Sequence, residues 1–484
     1  MERRATATLF RSFRSRKAAN IYRSIVVGSR QQTSYQSNWA IKAEKGLTDE
    51  TGAPVKVTDV TERRRSPLAR LPLSSIIRSL FLSIFFTSPL LFKPGLAIFS
   101  RIAHSNSGFL NPDKNPILRA VIRPVIYDQF CAGTDEKEVQ DTSKTIRKLG
   151  FSGVVLCYGK EVQFSADSGF HGYSGKTVSM EDEVEEWKEG NLSTLDMTQQ
   201  GDWLGMKLTG AGLQVTRALM NGDSAPEVWA RAMDEICKKA SSKGCRIWID
   251  SEQQVFQSSI DRWAFDVMRK YNRGGEALVY NTVQAYLKSA RDKVQHQMQM
   301  ASDEGWRSAI KLVRGAYIAI DARGNIHDTK SETDDCYNSI VEDLLRGGGF
   351  PVFQSDPTLQ YDILFAGHNN ETIRRAAKLA NDLSSTSALR VHPEFAQLQG
   401  MADDIGCELV QVGEDTVRKN KATGQKSFVP KVYKCLTWGS IQECMQYLLR
   451  RLVENRGAAD RMKEGIPQLR MELWERMTST RFRE

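Results

Sequence analysis

Four polar side chains near the C-terminus share one face of a predicted helix. They are, in order, Tyr447, Arg450, Arg451 and Glu454. Helical spacing places a phenol, two guanidiniums and a carboxylate on the same side. Neighbouring guanidiniums repel each other, yet each presents a planar fork of donors that fits a carboxylate. The segment therefore indicates a site for a small carboxylate ligand, although a solvated face with an ordinary ion pair has the same pattern.

Charged residues also follow short apolar runs farther upstream. Lys207 lies between two apolar residues, where burying an unpaired cation is costly. It is therefore paired with a carboxylate such as Asp250, or it is a pocket cation or a Schiff-base lysine. Asp250 ends the run RIWID, and a carboxylate at a strand tip more often belongs to a site than to the scaffold.

Two further segments combine polar groups with small residues. The segment 311–317 reads KLVRGAY, so two cations precede a glycine and an alanine that let a planar ligand approach the backbone. The segment 365–369 reads FAGHN and ends a strand-like run with small and then polar groups. A single histidine is usually structural, so the second segment is a weak signal when taken alone.

These polar groups lie where a repeated pattern changes from strand to helix. Between residues 127 and 460, eight β-then-α units predict an α/β protein with a (β/α)8 barrel, whose chemistry lies at the carboxyl ends of the strands. Residues 169–201 and 414–430 are predicted to be surface insertions. The predicted strands are Gly153–Tyr158, Trp203–Thr209, Arg246–Asp250, Leu278–Gln284, Ile310–Ala316, Asp362–Gly367, Arg390–Leu398 and Tyr433–Trp438.

The net charge of +9 is concentrated at the N-terminus. Residues 1–43 hold nine basic residues and one acidic residue, a net +8, which leaves +1 for the remaining chain. A nearly neutral body argues against a nucleic-acid surface. The acid-poor start, rich in Arg and Ser, predicts a mitochondrial transit peptide within a disordered segment 1–70, with a plain basic tail as the alternative. The eight cysteines and six histidines lack the spacing of a metal site.

A strongly apolar segment precedes the barrel pattern. Its longest uncharged run, 79–92, has 14 residues, fewer than the roughly 20 that span a bilayer, and Pro89 and Pro94 interrupt it. Residues 71–126 are therefore predicted to be an apolar helical segment before the barrel, in which residues 71–102 form a pair of helices that either lies on a membrane surface or packs on the barrel. Residues 461–484 are predicted to be a C-terminal helical tail.

Taken in order, these segments resemble one family, the flavin-dependent proline dehydrogenases of proline catabolism. The resemblance extends from about residue 127 to 456, and its most specific parts are LVRGAY at 312–317 and YLLRRLVEN at 447–455. The apolar segment before the barrel resembles the mitochondrial, fungal-type members. The resemblance implies a distorted (β/α)8 barrel that binds FAD, with the last helix over the carboxyl ends of the strands.

The resemblance also implies roles for individual residues at the cofactor. Gln284 would hydrogen-bond the flavin, and Lys311 would place a cation near its N5 atom and pyrimidine edge. The other cofactor-binding residues that it implies are Arg314, Gly315, Ala316, Tyr317, His368 and Asn369.

On the substrate side, the resemblance implies a carboxylate clamp of two arginines and a lysine. The implied substrate-binding residues are Lys207, Asp250, Leu398, Cys435, Tyr447, Arg450, Arg451 and Glu454. The implied reaction transfers a hydride from C5 of L-proline to flavin N5, which gives Δ1-pyrroline-5-carboxylate. The electrons would pass to ubiquinone at the matrix side of the inner mitochondrial membrane, without a metal.

Three residues depart from the family pattern. Lys311 and Gly367 replace an arginine and a small hydroxyl residue found in many members. Cys435 stands where many members carry a tyrosine over the substrate ring, so the pocket is predicted to be looser and to accept 4-hydroxyproline. The alternatives are a Schiff-base aldolase acting through Lys207 and a catalytically silent, membrane-associated homologue.

Overall fold

Eight parallel strands form a closed barrel in the computed structural model. The structure describes residues 66–103, 105, 107–159, 162–165, 169–171, 178–318, 320–456 and 459–478. Each strand pairs with its neighbours in sequence, and the first strand closes against the last, with Gly153 opposite Tyr433. The predicted (β/α)8 barrel is confirmed. Its strands are β1 Gly153–Tyr158, β2 Trp203–Met206, β3 Arg246–Ile249, β4 Val279–Gln284, β5 Ser308–Val313, β6 Tyr361–Ala366, β7 Glu394–Leu398 and β8 Lys431–Trp438.

Helices follow the strands and cover the outside of the barrel. Two short antiparallel strands, Gln163–Ser165 and Gly169–His171, form a hairpin after β1. The longer helices of the described chain are α1 Leu73–Thr87, α2 Pro89–Ala103, α3 Pro116–Ile122, α4 Glu136–Lys148, α5 Met180–Asp196, α6 Leu213–Asn221, α7 Glu227–Ser242, α8 Gln254–Tyr271, α9 Ala290–Glu304, α10 Lys330–Arg346, α11 Asn370–Ser385, α12 Asp403–Thr423, α13 Ile441–Arg456 and α14 Ala459–Thr478.

Buried charge and aromatic rings lie together at the amino-terminal end of the barrel. The Arg246 guanidinium lies 3.9 Å from the centroid of the Trp203 ring and 2.9 Å from a Glu394 carboxylate oxygen. Burial alone would lower the pKa of Arg246, but Glu394 and two neighbouring tyrosines outweigh it and raise that pKa. These contacts close this end of the barrel around a second cavity of about 370 Å³ that Arg246 and Glu394 line, whereas the chemistry of such barrels lies at the opposite end.

Several strands end earlier than the sequence pattern predicted. The predicted strands extended to Thr209, Asp250 and Ala316, but β2, β3 and β5 end at Met206, Ile249 and Val313. The polar residues that follow lie on turns, where a side chain is free of the strict alternation of a strand.

Both stretches predicted to be surface insertions contain helical residues that belong to the barrel. Helix α5 links β1 to β2 and buries Val184 and Trp187. Helix α12 links β7 to β8, and its buried residues Ile405 and Leu409 precede the predicted insertion, whereas residues 414–423 are its mostly exposed last turns. The acidic and basic runs occupy exposed faces of these helices and therefore resembled loops in the sequence.

The helices before the barrel pack on the helix after it. Apolar side chains of α1 and α2 form a cluster with Leu448 and Leu452 of α13. Arg476 of α14 donates hydrogen bonds of 3.1 Å to the carbonyl oxygens of Leu68 and Ala69, which precede α1. No helix of the described chain is long and apolar enough by itself to cross a membrane, whereas α1 and α2 together meet that test with a bend of 100°. The predicted transit peptide lies outside the described residues.

Candidate active site

A cavity of about 400 Å³ lies at the carboxyl ends of the strands. Polar residues from all eight strand ends and from α13 surround it. All but one of the residues that the sequence predicted for the site line this cavity, namely Lys207, Asp250, Gln284, Lys311, Arg314, Gly315, Ala316, Tyr317, His368, Asn369, Leu398, Cys435, Tyr447, Arg450 and Arg451. The exception is Glu454, whose side chain lies outside the described part of the structure.

One carboxylate joins two lysines at the centre of the cavity. The Lys311 Nζ atom lies 2.6 Å from Asp250 Oδ1 and 3.8 Å from the centroid of the Trp248 ring. The Lys207 Nζ atom lies 3.8 Å from Asp250 Oδ2 and donates a 3.1 Å hydrogen bond to the Tyr317 hydroxyl. Two cations share one carboxylate, so this part of the cavity retains a net positive charge. Lys207 is thus both ion-paired and a pocket cation.

A buried amide ties the end of β4 to the turn after β5. Gln284 Oε1 accepts a 3.1 Å hydrogen bond from the Ala316 backbone N–H, and Gln284 Nε2 donates to the Glu252 carbonyl oxygen at 3.4 Å. Gly315 has a φ of +140°, and a Cβ atom there would lie 2.1 Å from the Tyr286 ring. The turn therefore needs glycine both for its backbone conformation and for its close approach to that ring.

Two polar residues follow β6 at the start of α11. His368 Nε2 accepts a 3.0 Å hydrogen bond from the Leu398 N–H, which fixes the imidazole against the end of β7. Asn369 Oδ1 caps α11 by accepting from the Thr372 N–H at 3.0 Å. The exposed amides of a helix start favour a negatively charged ligand beside these two side chains.

Helix α13 forms the other wall of the cavity. Asp113 accepts hydrogen bonds from the Ile441 N–H at 3.1 Å and the Gln442 N–H at 2.8 Å, and so caps the start of this helix. The Arg451 guanidinium carbon lies 5.3 Å from the centroid of the Tyr447 ring. Burial raises the pKa of Tyr447 well above its ordinary value, and the Arg451 charge only partly offsets this. The phenol is thus neutral beside two guanidiniums.

Sequence reasoning missed several residues of the cavity wall. Trp248 lies under the Lys311 ammonium, and Cys157 Sγ lies 3.6 Å from Cys435 Sγ. Trp248 precedes Asp250 by two residues on one run, so the period of a strand could have placed both on the inner face. Nothing near Cys157 in the sequence signals its contact, which crosses the closure of the barrel. In the described part of the chain, no cluster of three or more metal-ligating side chains is present.

The family model for proline dehydrogenase matches residues 139–464 of this chain. The probable mitochondrial proline dehydrogenase of Schizosaccharomyces pombe is 30% identical over 84% of this chain and 89% of its own length. Human mitochondrial proline dehydrogenase 1 is 31% identical over 54% of this chain and 38% of its own length. The alignments thus span nearly all of the fission-yeast protein but less than two-fifths of the human one.

Solved structures support the same fold. A chain of proline utilization A from Bdellovibrio bacteriovorus, inactivated by N-propargylglycine, superposes with a TM-score of 0.58 at 16% sequence identity. The superposition covers 78% of this chain and 38% of the bacterial chain. At this identity the likeness concerns the fold alone.

Proposed function

This chain belongs to the proline dehydrogenase family, and from that premise we propose that it oxidises L-proline to Δ1-pyrroline-5-carboxylate with bound FAD. The observation that carries the proposal is one cavity lined by two guanidiniums of α13 and by the cluster of Lys207, Asp250 and Lys311. Such a cavity suits a small, planar-ended anion and a cofactor that accepts negative charge.

The residues at the strand ends fit a flavin dinucleotide. Gly315 and Ala316 expose backbone beside the cavity, which suits a flat ring at close approach. Gln284 and Lys311 would contact that ring, and Lys311 would hold positive charge beside it. Arg314 and Tyr317 would line the rest of the cofactor, and His368 and Asn369 would hold its ribose and phosphate part. When bound, FAD supplies the acceptor for the hydride.

The substrate carboxylate would bind to Arg450 and Arg451 through charge-assisted hydrogen bonds, with Lys207 as a third cation. Tyr447 and Leu398 would pack against the proline ring. Asp250 holds both lysines in place, which avoids reorganisation when the ligand enters. The role proposed for Glu454, orienting one arginine, rests on helical spacing.

The same cations favour the reactive form of the substrate. A hydride leaves C5 readily only when the ring nitrogen is neutral and can share its lone pair. Like charges disfavour an ammonium, so the two lysines and two arginines around the cavity promote loss of the proton from the proline nitrogen. No side chain has to act as a dedicated base in this scheme.

The electrons would then pass to ubiquinone at the matrix side of the inner mitochondrial membrane. Three observations support this location. Relatives from fission yeast, human and Arabidopsis are named mitochondrial. The first 43 residues carry a net +8, which is typical of a transit peptide. The helices α1 and α2 expose large apolar side chains such as Leu90.

A second candidate activity, oxidation of 4-hydroxyproline, is favoured by Cys435 on the cavity wall, because a thiol leaves more room than a phenol. The Schiff-base aldolase and the silent homologue are disfavoured, since neither accounts for the paired arginines or the KLVRGAY segment.

Spectroscopy of the purified full-length protein tests the main proposal. We expect a flavin spectrum that L-proline bleaches in the absence of oxygen. Arg450→Met and Arg451→Met should retain the flavin but raise KM for proline by roughly 10- to 100-fold, because each removes a charged hydrogen bond worth about 1.5–3 kcal/mol.

Arg375→Met is the matched control, since this arginine is exposed on α11 and pairs with Glu342 away from the cavity. A protein that cannot take up FAD, or a flavin that proline leaves oxidised, contradicts the proposed function. An unchanged KM in both α13 variants contradicts the carboxylate clamp.

A further inference from the structure

Two thiols meet inside the cavity. Cys157 on β1 and Cys435 on β8 both line it, and their Sγ atoms lie 3.6 Å apart. Gly205 on β2 provides the room, since a Cβ atom there would lie 2.6 Å from Cys157 Sγ. The pair is thus a dithiol that a small molecule entering the cavity can reach.

The strand register argues against a disulfide at this position. Cys435 pairs with Val155 and Cys157 pairs with Thr437, so the two cysteines are diagonal neighbours on adjacent parallel strands. Two residues of rise and one strand spacing separate their Cα atoms by about 8 Å, whereas a disulfide needs about 6.8 Å or less. The two strands would have to slide before an S–S bond could close.

The same spacing fits two thiolates that are bridged by one atom. Two sulfurs bound at about 2.3 Å to a single three-coordinate, pyramidal atom, with an angle of about 100° between the bonds, lie about 3.5 Å apart, close to the observed 3.6 Å. Chelation by one soft atom therefore requires no movement of the strands.

We propose that Cys157 and Cys435 form a covalent binding site for organic trivalent arsenicals. An arsenoxide, R–As=O, forms two As–S bonds; its oxygen leaves as water with the two thiol protons, and no oxidation state changes. Arsenic keeps its organic group as the third substituent, so two protein ligands complete the site. This agrees with the described residues, which offer no cluster of three metal-ligating side chains.

The surroundings of the two thiols favour reagents that bond both sulfurs over reagents that bond only one. The hydrogen bond to Cys435, together with burial, raises the pKa of the Cys157 thiol well above its ordinary value. A protonated thiol reacts slowly with reagents that attack one sulfur. After a reagent has bonded one sulfur, the second thiol is held beside it at a high effective concentration, which strengthens binding of any reagent that bonds both.

The same chain contains a matched internal control. Cys131 and Cys444 are a second pair of neighbouring thiols, and burial together with Cys444 raises the pKa of Cys131, but they are only 4% and 1% exposed and do not line the cavity. Proximity of two thiols alone would make both pairs react, whereas the proposal requires access from the cavity.

The test is intact-mass spectrometry of the purified flavoprotein with one equivalent of phenylarsine oxide. We expect one phenylarsenic group per chain, removed by 2,3-dimercaptopropanol but not by an equal excess of 2-mercaptoethanol. Cys157→Ser and Cys435→Ser should each weaken binding by roughly 100-fold or more, the loss expected when chelation becomes single attachment. Cys444→Ser should bind as the native protein does.

An adduct that survives in both cavity variants, or that disappears in Cys444→Ser, overturns the proposal. If a serine variant does not fold, Cys157→Ala and Cys435→Ala answer the same question. Loss of proline-dependent flavin bleaching on binding is a further expectation that rests on the proposed function, whereas the mass measurement does not. If the protein binds the arsenical but its flavin is not bleached by proline, the proposed function is contradicted and the arsenical site is not.

Discussion

Cys435 is the residue on which we expect substrate choice to depend in this pocket. Its side chain is 8% exposed and lines the cavity, and the thiol is smaller than the tyrosine of many family members. We expect kcat/KM for trans-4-hydroxy-L-proline to approach that for L-proline. Cys435→Tyr should lower the value for hydroxyproline by roughly 10- to 200-fold relative to proline, the usual cost of crowding one small group.

Steady-state assays of both substrates measure this ratio. Cys336→Ser on α10 is the control, because that cysteine does not line the cavity. A strong preference of the native protein for proline would show that the missing phenol does not widen the substrate range.

At this scale the sequence could identify polar residues at strand ends but not the contacts between them. Lys207 and Asp250 follow apolar runs and were therefore recognisable. The contact between Cys157 and Cys435 joins residues 278 positions apart. It depends on the register in which the first strand meets the last, and no local pattern encodes that register.

At the scale of elements, the sequence predicts that α13 is a helix but not which of its faces meets the ligand. Helix α13 spans Ile441–Arg456 and so contains the segment 447–455 that was predicted to be helical. Leu448 and Leu452 are buried against α1 and α2, while Arg450 and Arg451 line the cavity. The spacing of polar and apolar residues predicted two faces. The polar face lines the cavity because α1 and α2 cover the apolar face.

A charged junction before the barrel gives an element-scale prediction. Glu138 of α4 accepts 2.9 Å hydrogen bonds from the backbone N–H and hydroxyl of Thr134 and pairs with Arg123. Burial raises the pKa of Glu138, but these partners together outweigh burial and lower it. The folded state thus binds this proton less readily than the unfolded chain. The resulting stabilisation is present above the unfolded pKa of about 4.3 and is lost as the pH falls through the folded pKa.

We therefore expect Glu138→Gln to lower Tm by roughly 1–2 °C at pH 7. The difference should shrink as the pH is lowered past 4, because protonation removes the same interaction from the native protein. Thermal melts between pH 7 and 3 measure it. Asp141→Asn is the control, since Asp141 pairs with exposed Lys144 at 3.5 Å. A difference in Tm that is independent of pH would assign the effect to packing instead.

At the scale of the whole molecule, one pair of helices connects the site to an apolar surface. The inner faces of α1 and α2 pack on α13. Their outer faces expose Ile77, Phe81, Leu90 and Ile98 at 51%, 53%, 87% and 63%. Residues 66–122 hold six basic residues and one acidic residue, a net +5. Apolar side chains among cations suit the surface of an anionic bilayer, so we expect the outer face to contact a membrane surface while the inner face packs on the protein.

Flotation with vesicles that contain anionic lipid tests this arrangement on the full chain. The native protein should float with the vesicles, and the double variant Leu90→Asp and Ile98→Asp should not. Burying two such side chains contributes about 3–6 kcal/mol, and a charge in their place opposes insertion. Val417→Asp is the control, because Val417 is an exposed apolar residue of α12 on the barrel. Flavin bleaching by proline in detergent should be the same in all three proteins, since none of these residues lines the cavity. If the double variant floats as well as the native protein, the outer face of this helix pair is not the membrane contact.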